Sequence, residues 1–291
     1  MNIYSRDNNL ILEDVQDFNI ADILECGQCF HFTKLAEAEY ELLAYGKYLR
    51  VRQDGKCVVL YDTSEADYDG VWKNYFDMDK DYAAIKDRIV SADTRLTDAV
   101  NAKSGIRILQ QDFFETLISF IISQNKQIPH IKQIVHTISE RYGDKIELAS
   151  GKMVYTFPNV DKLYQVTEEE LRECKVGFRA PYIKNAVEKV YNGEISEESL
   201  RCMDVNEART TLMTIKGVGE KVANCVLLFG LGFTNVFPVD VWMKRIMEYM
   251  YFGEDTKREL IEQLAAEKFG EYSGYAQQYL FHYGRENGLG K

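Results

Sequence analysis

The chain has 291 residues, of which 46% are hydrophobic and 28% charged, and its formal net charge is −11. This composition is ordinary for a globular protein with one extended domain or two to three smaller ones. No apolar run approaches the roughly 20 residues of a membrane helix, and the acidic start of the chain argues against a secretory signal, so we expect a cytoplasmic protein that makes no membrane contact.

The predicted elements fall into two parts along the chain. Over residues 8–65 hydrophobic residues alternate with polar ones, and Asp54-Gly55 stands where a hairpin would turn. From about residue 70 onward, apolar residues recur at three- and four-residue spacing, which predicts helices. We therefore predict an α+β fold, with a β-rich N-terminal antiparallel sheet domain with flanking helices over residues 1–105 and a mainly helical body over residues 106–291.

The first motif in chain order is the C-x-x-C formed by Cys26 and Cys29. Such a pair is half of a zinc site or a redox pair, but a second pair and a close histidine pair are missing. The six cysteines are scattered, as is typical of reduced thiols. We interpret the pair as structural, with a metal or redox role as the minor alternative.

The negative charge is concentrated in the N-terminal third. Residues 1–100 carry 11 basic and 20 acidic side chains, whereas residues 101–291 carry 24 and 26. A nucleic-acid site in the second part would therefore depend on helix N-termini and a few placed cations rather than on a broad basic face.

The stretch "TIKGVGEKVANCVLLFG" predicts two helices joined by a tight turn, at about residues 206–231. The second helix is expected to place Val222, Ala223, Val226 and Leu227 on its inner face. Its free N–H groups would bind an anion, for which a DNA phosphate is the natural ligand. The pattern resembles the helix-hairpin-helix DNA-binding motif, and an ordinary packing corner between two helices is the alternative.

Lys221 and Asp240 are the candidate chemical groups beside this turn. Lys221 lies in the first turn of the second helix, where the helix dipole disfavours its charge, and Cys225 projects from the same face. Asp240 follows Lys221 by 19 residues, enough for one helix and a return loop, and it stands as the N-cap of the next helix. The pair is either a nucleophile with its partner carboxylate or a surface lysine and a simple cap, and the spacing leaves both open.

Several motifs in order resemble the 8-oxoguanine DNA glycosylases, within the lysine-bearing branch of the helix-hairpin-helix base-excision glycosylases. They are "LECGQCFHF", "FETLISFIISQNKQIPHI", "VGFRAPYI", "GVGEKVANC", "FPVDVWMKRI" and "GYAQQYLF", and they span nearly the whole chain. The endonuclease III branch is disfavoured because its cysteine cluster is absent. The alkylation-repair branch is disfavoured because it lacks the hairpin lysine.

The resemblance implies the chemistry of a bifunctional glycosylase and AP lyase. Lys221 would attack the sugar C1′ and displace the damaged base, and Asp240 would stabilise the positive charge that develops on the sugar. The product would be a Schiff base, from which β-elimination cuts the strand. The carbonyl of Gly27 would accept the N7–H of a flipped 8-oxoguanine. By the same resemblance, Cys225 and Phe281 would sandwich the base and Gln277 would bind its Watson–Crick edge.

The resemblance also implies a DNA-binding surface. Asn125 would enter the gap left by the flipped base, Phe178 would act as an aromatic wedge, and Arg179 would read the orphan base. The phosphate would be held by the backbone N–H groups of Gly217, Gly219 and Val222. No cofactor is expected to be required, although a monovalent or divalent cation could bind the backbone carbonyls of Met213, Ile215 and Val218.

Two positions depart from the eukaryotic members of the family. His130 stands in place of an arginine that helps to read the opposite cytosine, and Trp242 in place of a histidine near the phosphates. We still predict a monomer that acts at the nucleoid on double-stranded DNA containing 8-oxoguanine. A non-catalytic helix-hairpin-helix DNA-binding protein and a glycosylase for a different damaged base are the alternatives.

Overall fold

A six-stranded antiparallel sheet forms the N-terminal part of the computed structural model, which describes residues 1–289. Its strands run in the spatial order β1-β2-β6-β5-β4-β3. The strands are β1 Asn2–Arg6, β2 Asn9–Glu13, β3 Phe32–Ala36, β4 Glu39–Ala44, β5 Lys47–Asp54 and β6 Cys57–Tyr61.

The alternation along β5 explains which face of the sheet is buried. Leu49 and Val51 have no exposed surface, whereas Arg50 and Arg52 between them point to solvent. The hairpin that follows pairs Asp54 with Cys57 across Gly55, whose φ is +57°. The predicted sheet and its turn are therefore confirmed, because two-residue periodicity is the direct consequence of one covered face.

Helices make up most of the remaining chain. The α-helices are α1 Ile20–Glu25, α2 Glu65–Asp67, α3 Lys73–Tyr75, α4 Tyr82–Ala92, α5 Thr97–Ala102, α6 Phe113–Ser123, α7 Ile128–Tyr142, α8 Val160–Tyr164, α9 Glu168–Glu173, α10 Ala180–Tyr191, α11 Glu197–Arg201, α12 Val205–Met213, α13 Glu220–Leu231, α14 Val241–Met247, α15 Arg258–Phe269 and α16 Ser273–Asn287. Short π-helical turns at Tyr68–Trp72 and Glu248–Phe252, and 3-10 turns at Thr94–Leu96, Gly177–Arg179 and Gly270–Tyr272, connect them. The predicted α+β class is thereby confirmed.

The described residues form two hydrophobic cores, and Tyr82, Ile89 and Leu96, from the predicted N-terminal part, belong to the core of the helical body. One lies between the sheet and residues around Trp72, and the other lies within the helical body. Buried Arg107 links the two parts, because its guanidinium donates to the carbonyls of Asp17 and Asp77 and covers the Tyr82 ring. These neutral partners satisfy a buried cation that would otherwise be costly.

The helical body also contains a small hairpin that the periodicity did not predict. Strand β7, Lys145–Glu147, pairs with β8, Met153–Tyr155, and three-residue strands are too short to show an alternation. Among residues 1–289, no helix combines the length and apolar character needed to cross a membrane. The cytoplasmic location stays a prediction.

Candidate active site

The predicted helical hairpin is formed by α12 and α13. The turn closes with a hydrogen bond from the amide of Val218 to the carbonyl of Ile215, at 3.0 Å. Gly217 has a φ of +78°, a conformation that favours glycine. Gly219 is the N-cap of α13 and provides no side-chain cap, so the amides of the first turn are left for an external acceptor.

Lys221 lies half-buried in that first turn, with its side chain directed at α6. Its ammonium is 3.4 Å from the hydroxyl of Ser123 and 5.1 Å from the centre of the Phe120 ring. The hydroxyl of Ser123 donates to the Phe120 carbonyl at 2.8 Å, which fixes its lone pairs relative to the amine. The side chain is therefore oriented by its surroundings, unlike that of a surface lysine.

Asp240 begins α14 on the other side of the same cleft. Its Oδ1 accepts from the amide of Met243 at 2.7 Å, which is the predicted N-cap bond. The cleft has a volume of about 620 Å³, and Lys221 and Asp240 both line it. Its other lining residues are Ser123, Gln124, Asn125, Lys126, Gln127, Gly219, Glu220, Val222, Val239, Val241, Trp242, Arg258 and Glu262.

Helix α13 buries the four residues predicted for its inner face, Val222, Ala223, Val226 and Leu227, and its burial extends beyond that face. Every residue from Val222 to Leu231 is buried, because the helix packs on α6 as well as α12. Burial raises the pKa of the Cys225 thiol to about 11, against a smaller opposing effect of the neighbouring Lys221. Cys225 therefore stays a neutral, apolar wall beside the amine.

Asn224 is a fully buried polar residue on this helix that the sequence analysis did not single out. Its side-chain oxygen accepts from Nε of Arg209 at 2.7 Å, and its amide donates to Glu262 at 3.3 Å. Burial, followed by the charge of Glu220, raises the pKa of Glu262 to about 7. A carboxyl group that titrates near neutrality therefore lines the cleft.

Gly27 and Phe281 meet at a second corner, formed by the loop after α1 and helix α16. Gly27 has a φ of +92°, and a methyl group built on it would lie 3.7 Å from the Phe281 ring and 3.2 Å from Ile128. The Arg285 guanidinium lies 5.5 Å from the centre of the Phe281 ring and donates to the carbonyl of Glu25 at 3.0 Å. The side chains of Ile128, Arg285 and Phe281 surround Gly27, so a larger residue at this position would crowd the corner.

The flanking cysteines of the C-x-x-C are buried thiols. Cys26 donates to the carbonyl of Ile23 and Cys29 to that of Leu24. Burial raises the pKa of Cys26 to about 12 and that of Cys29 well above its ordinary value, which disfavours the thiolate that metal or redox chemistry needs.

Gln277 is buried one helical turn before Phe281. Its amide nitrogen donates to the carbonyl of Pro238 at 3.3 Å, close to the Asp240 cap, and its oxygen accepts from Gln278 at 2.8 Å. Both polar atoms of the Gln277 side chain therefore make a hydrogen bond. Gln278, which orients it, was missed in the sequence because it reads as an ordinary helix residue.

The predicted DNA-reading residues differ in exposure and come from three segments: the loop after α6, the start of α7 and the 3-10 turn Gly177–Arg179. Asn125 is exposed with a left-handed φ of +52°, and His130 is exposed in the first turn of α7. Phe178 is 54% exposed, which is unusual for an aromatic ring. Arg179 is 3% exposed: it donates to the carbonyls of Val176 and Gln124, and it covers the Phe178 ring.

Positively charged side chains lie in the cleft and near Trp242, which lines it. Lys244 is paired with Glu248 and Asp255, whereas Arg245 makes no ion pair within residues 1–289 and lies 5.8 Å from the Trp242 ring centre. Lys126 and Arg258 line the cleft, likewise without a carboxylate partner in the described chain. An acidic protein can thus present local cations to an anion.

Comparison with known proteins identifies relatives of both parts of the chain. Residues 10–117 match the 8-oxoguanine DNA glycosylase N-terminal domain, and residues 118–271 match the HhH-GPD superfamily of base excision DNA repair proteins. A Methanothermobacter thermautotrophicus protein named "Probable N-glycosylase/DNA lyase" is 31% identical over 234 residues, which cover 74% of this chain and 72% of that protein. The N-glycosylase/DNA lyase of Saccharomyces cerevisiae is 33% identical over 211 residues, 61% of this chain and 56% of its own length.

A solved structure extends the similarity to nearly the full length. It is the Clostridium acetobutylicum 8-oxoguanine glycosylase/lyase in complex with double-stranded DNA containing cytosine opposite 8-oxoguanine. The two chains are 42% identical, and the superposition covers 99% of each with a TM-score of 0.95.

Proposed function

Since the chain belongs to the HhH-GPD superfamily of base excision DNA repair proteins, and within it to the 8-oxoguanine glycosylases, we propose that its cleft excises 8-oxoguanine from duplex DNA and then cuts the strand, with Lys221 as the nucleophile. The glycosylase/lyase activity follows from the family. The observation that supports the assignment of Lys221 is its orientation into the cleft, against Ser123 and opposite Asp240.

In this proposal the Lys221 amine, in its neutral form, forms a bond to the sugar C1′. The N-glycosidic bond breaks, and the base leaves with the bonding electrons and takes up a proton. Loss of a proton from the nitrogen and opening of the sugar ring give the Schiff base, and removal of a C2′ proton then allows β-elimination of the 3′ phosphate. Asp240, whose carboxylate is fixed by its cap bond at 2.7 Å, would stabilise the positive sugar.

The corner between Gly27 and Phe281 is the proposed base pocket. The carbonyl of Gly27 would accept a hydrogen bond from N7–H, which 8-oxoguanine has and guanine lacks, and the absence of a side chain on Gly27 leaves space beside Phe281. Cys225 and Phe281 would cover the two faces of the base. Gln277 would have to exchange its bond to Pro238, which is long at 3.3 Å, for one to the base edge.

The DNA backbone would lie on the hairpin. The uncapped amides at Gly219 and Val222, with that of Gly217, form the proposed phosphate site. Asn125 and Phe178 are proposed to enter the space left by the flipped base, with Arg179 and His130 near the orphan partner. Trp242 and the unpaired cations would extend the contact along the strand.

A cation between hairpin and DNA remains part of the proposal, without a role in the chemistry. The carbonyls of Met213 and Val218 accept no backbone bond from described residues outside the helices, so they are free as ligands. The carbonyl of Ile215 already accepts a hydrogen bond from the amide of Val218, so its second lone pair would bind the cation.

We propose that the protein acts as a monomer, since one chain supplies every group named.

Borohydride trapping on a panel of duplexes tests the function. Duplexes with 8-oxoguanine, 3-methyladenine, an oxidised pyrimidine or no lesion are incubated with the protein and reductant. We expect a covalent adduct with the 8-oxoguanine duplex alone. Binding without any adduct would indicate a non-catalytic hairpin protein, and an adduct with another lesion in preference would indicate a glycosylase for that base.

A further inference from the structure

Tyr182, on the first turns of α10, packs its ring directly against the hairpin. A methyl group built on Gly217 would lie 2.3 Å to 2.6 Å from three atoms of the Tyr182 ring. Only glycine leaves room for this contact, in addition to its favourable φ. The ring thus rests on the turn whose amides are proposed to hold the phosphate.

A second contact fixes the same helix to the same turn. The side-chain oxygen of Asn185, three residues after Tyr182, accepts from the backbone amide of Lys216 at 2.8 Å. The hairpin is therefore joined to α10 by one apolar and one polar contact on successive positions of one helix face.

The Tyr182 ring also pairs with the exposed aromatic residue Phe178. The Phe178 and Tyr182 ring centres are 6.1 Å apart with an interplanar angle of 78°, an edge-to-face pair. Phe178 is also covered by Arg179, which donates to the carbonyl of Gln124 beside Asn125. One ring therefore contacts both the turn proposed to bind the phosphate and the group that would enter the base stack.

From this geometry we infer that Tyr182 is a positioning residue that sets Phe178 in register with the hairpin, so that binding of the phosphate and entry of the wedge into the duplex occur together. The inference rests on the proposed function, because it takes Phe178 as the wedge. Its physical basis is the chain of contacts: the close packing on Gly217 fixes the Tyr182 ring, and the edge-to-face pair favours one orientation of the Phe178 ring relative to it.

The test compares two substrates that differ in their need for base extrusion. Tyr182→Ala should lower the single-turnover rate of 8-oxoguanine release by about tenfold or more, as expected when a positioning group is lost. Strand cleavage at a preformed abasic site should change by less than about threefold, because no base has to be displaced. Tyr182→Phe keeps the ring and should restore the release rate.

A double-mutant cycle shows whether Tyr182 acts through Phe178. If it does, Phe178→Ala/Tyr182→Ala should be no slower than Phe178→Ala alone, whereas independent roles would give multiplied losses. Tyr191→Ala is the matched control: Tyr191 is the last residue of the same helix and is stacked on Tyr164, with ring centres 3.7 Å apart. Its release rate should equal that of the wild type.

Three outcomes would overturn the inference: multiplied losses in the double variant, equal losses on both substrates, or a wild-type release rate in Tyr182→Ala. Tyr182→Leu, which fills the space without a flat ring, replaces the alanine variant if that one melts early. Failure of the wild type to release 8-oxoguanine would instead refute the proposed function, and 2-aminopurine fluorescence beside the lesion would still report wedge entry without chemistry.

Discussion

The ammonium group of Lys221 lies 3.4 Å from the hydroxyl of Ser123, a residue 98 positions earlier in the chain. Helix α6 ends at Ser123, and the next residues, Gln124 and Asn125, form one wall of the cleft. The same helix end therefore orients the amine and begins the loop proposed to fill the DNA gap. In the proposed function, chemistry and DNA binding would therefore share one structural support.

Lys221→Gln should abolish base release while DNA binding is retained. Glutamine keeps a polar group near Ser123 but has no nucleophilic amine, and the hairpin amides are unchanged. Single-turnover release and borohydride trapping measure the first effect, and fluorescence anisotropy measures the second. Lys216→Gln, on the hairpin turn but outside the cleft lining, is the control. Release by Lys221→Gln at the wild-type rate would show that the amine lies elsewhere.

The positions of Lys221 and Asp240 could be predicted because their signals are local. A glycine turn, a helical period and an N-cap each occupy a few residues, and a 19-residue spacing suffices for one helix and its return. Ser123, Asn224 and Glu262 could not be found this way. Ser123 reaches Lys221 only where α6 packs on α13, and Glu262 reaches Asn224 only where α15 approaches α13, and no spacing along the chain encodes these contacts.

Asp240→Asn should lower activity by about a hundredfold or more, because the charge that stabilises the sugar cation is lost. The melting temperature should hardly move, since asparagine caps a helix nearly as well as aspartate. Asp204→Asn is the matched control: Asp204 caps α12 in the same manner but is not part of the cleft lining. A large loss of stability in Asp240→Asn would instead indicate that Asp240 acts mainly as the cap of α14.

Glu262→Gln should stabilise the protein at pH 8 more than at pH 5. Burial and the charges of Glu220 and Glu259 raise the pKa of Glu262 to about 7, against the opposing effect of Arg209 and Arg258. The folded state therefore binds a proton that the unfolded state has released above its ordinary pKa of 4.5, so stability falls as pH rises through that window.

Thermal melts at several pH values measure this difference. Glu267→Gln is the control, since Glu267 is exposed on the same helix and does not line the cleft. If the difference in melting temperature between the wild type and Glu262→Gln does not change with pH, the pKa of Glu262 is not raised by folding. DNA affinity should also rise as the pH falls through this window, because protonation removes the negative charge of Glu262 from the cleft, and this rise should be weaker in Glu262→Gln.

His130→Arg should sharpen the preference for 8-oxoguanine opposite cytosine over 8-oxoguanine opposite adenine. Reading an orphan cytosine takes donors aimed at N3 and O2, which arginine supplies in a fixed fork, and such contacts discriminate by about 1–3 kcal/mol. Arg179 already donates to the carbonyls of Val176 and Gln124, whereas His130 is exposed, so an arginine at position 130 would have room.

Single-turnover release on duplexes that differ only in the opposite base gives the ratio of the two release rates. We expect a weaker preference in the wild type than in the eukaryotic relatives, and a ratio in His130→Arg that is about fivefold or more higher. An unchanged ratio would leave Arg179 as the reader, and its buried guanidinium would then have to release Gln124 when DNA binds.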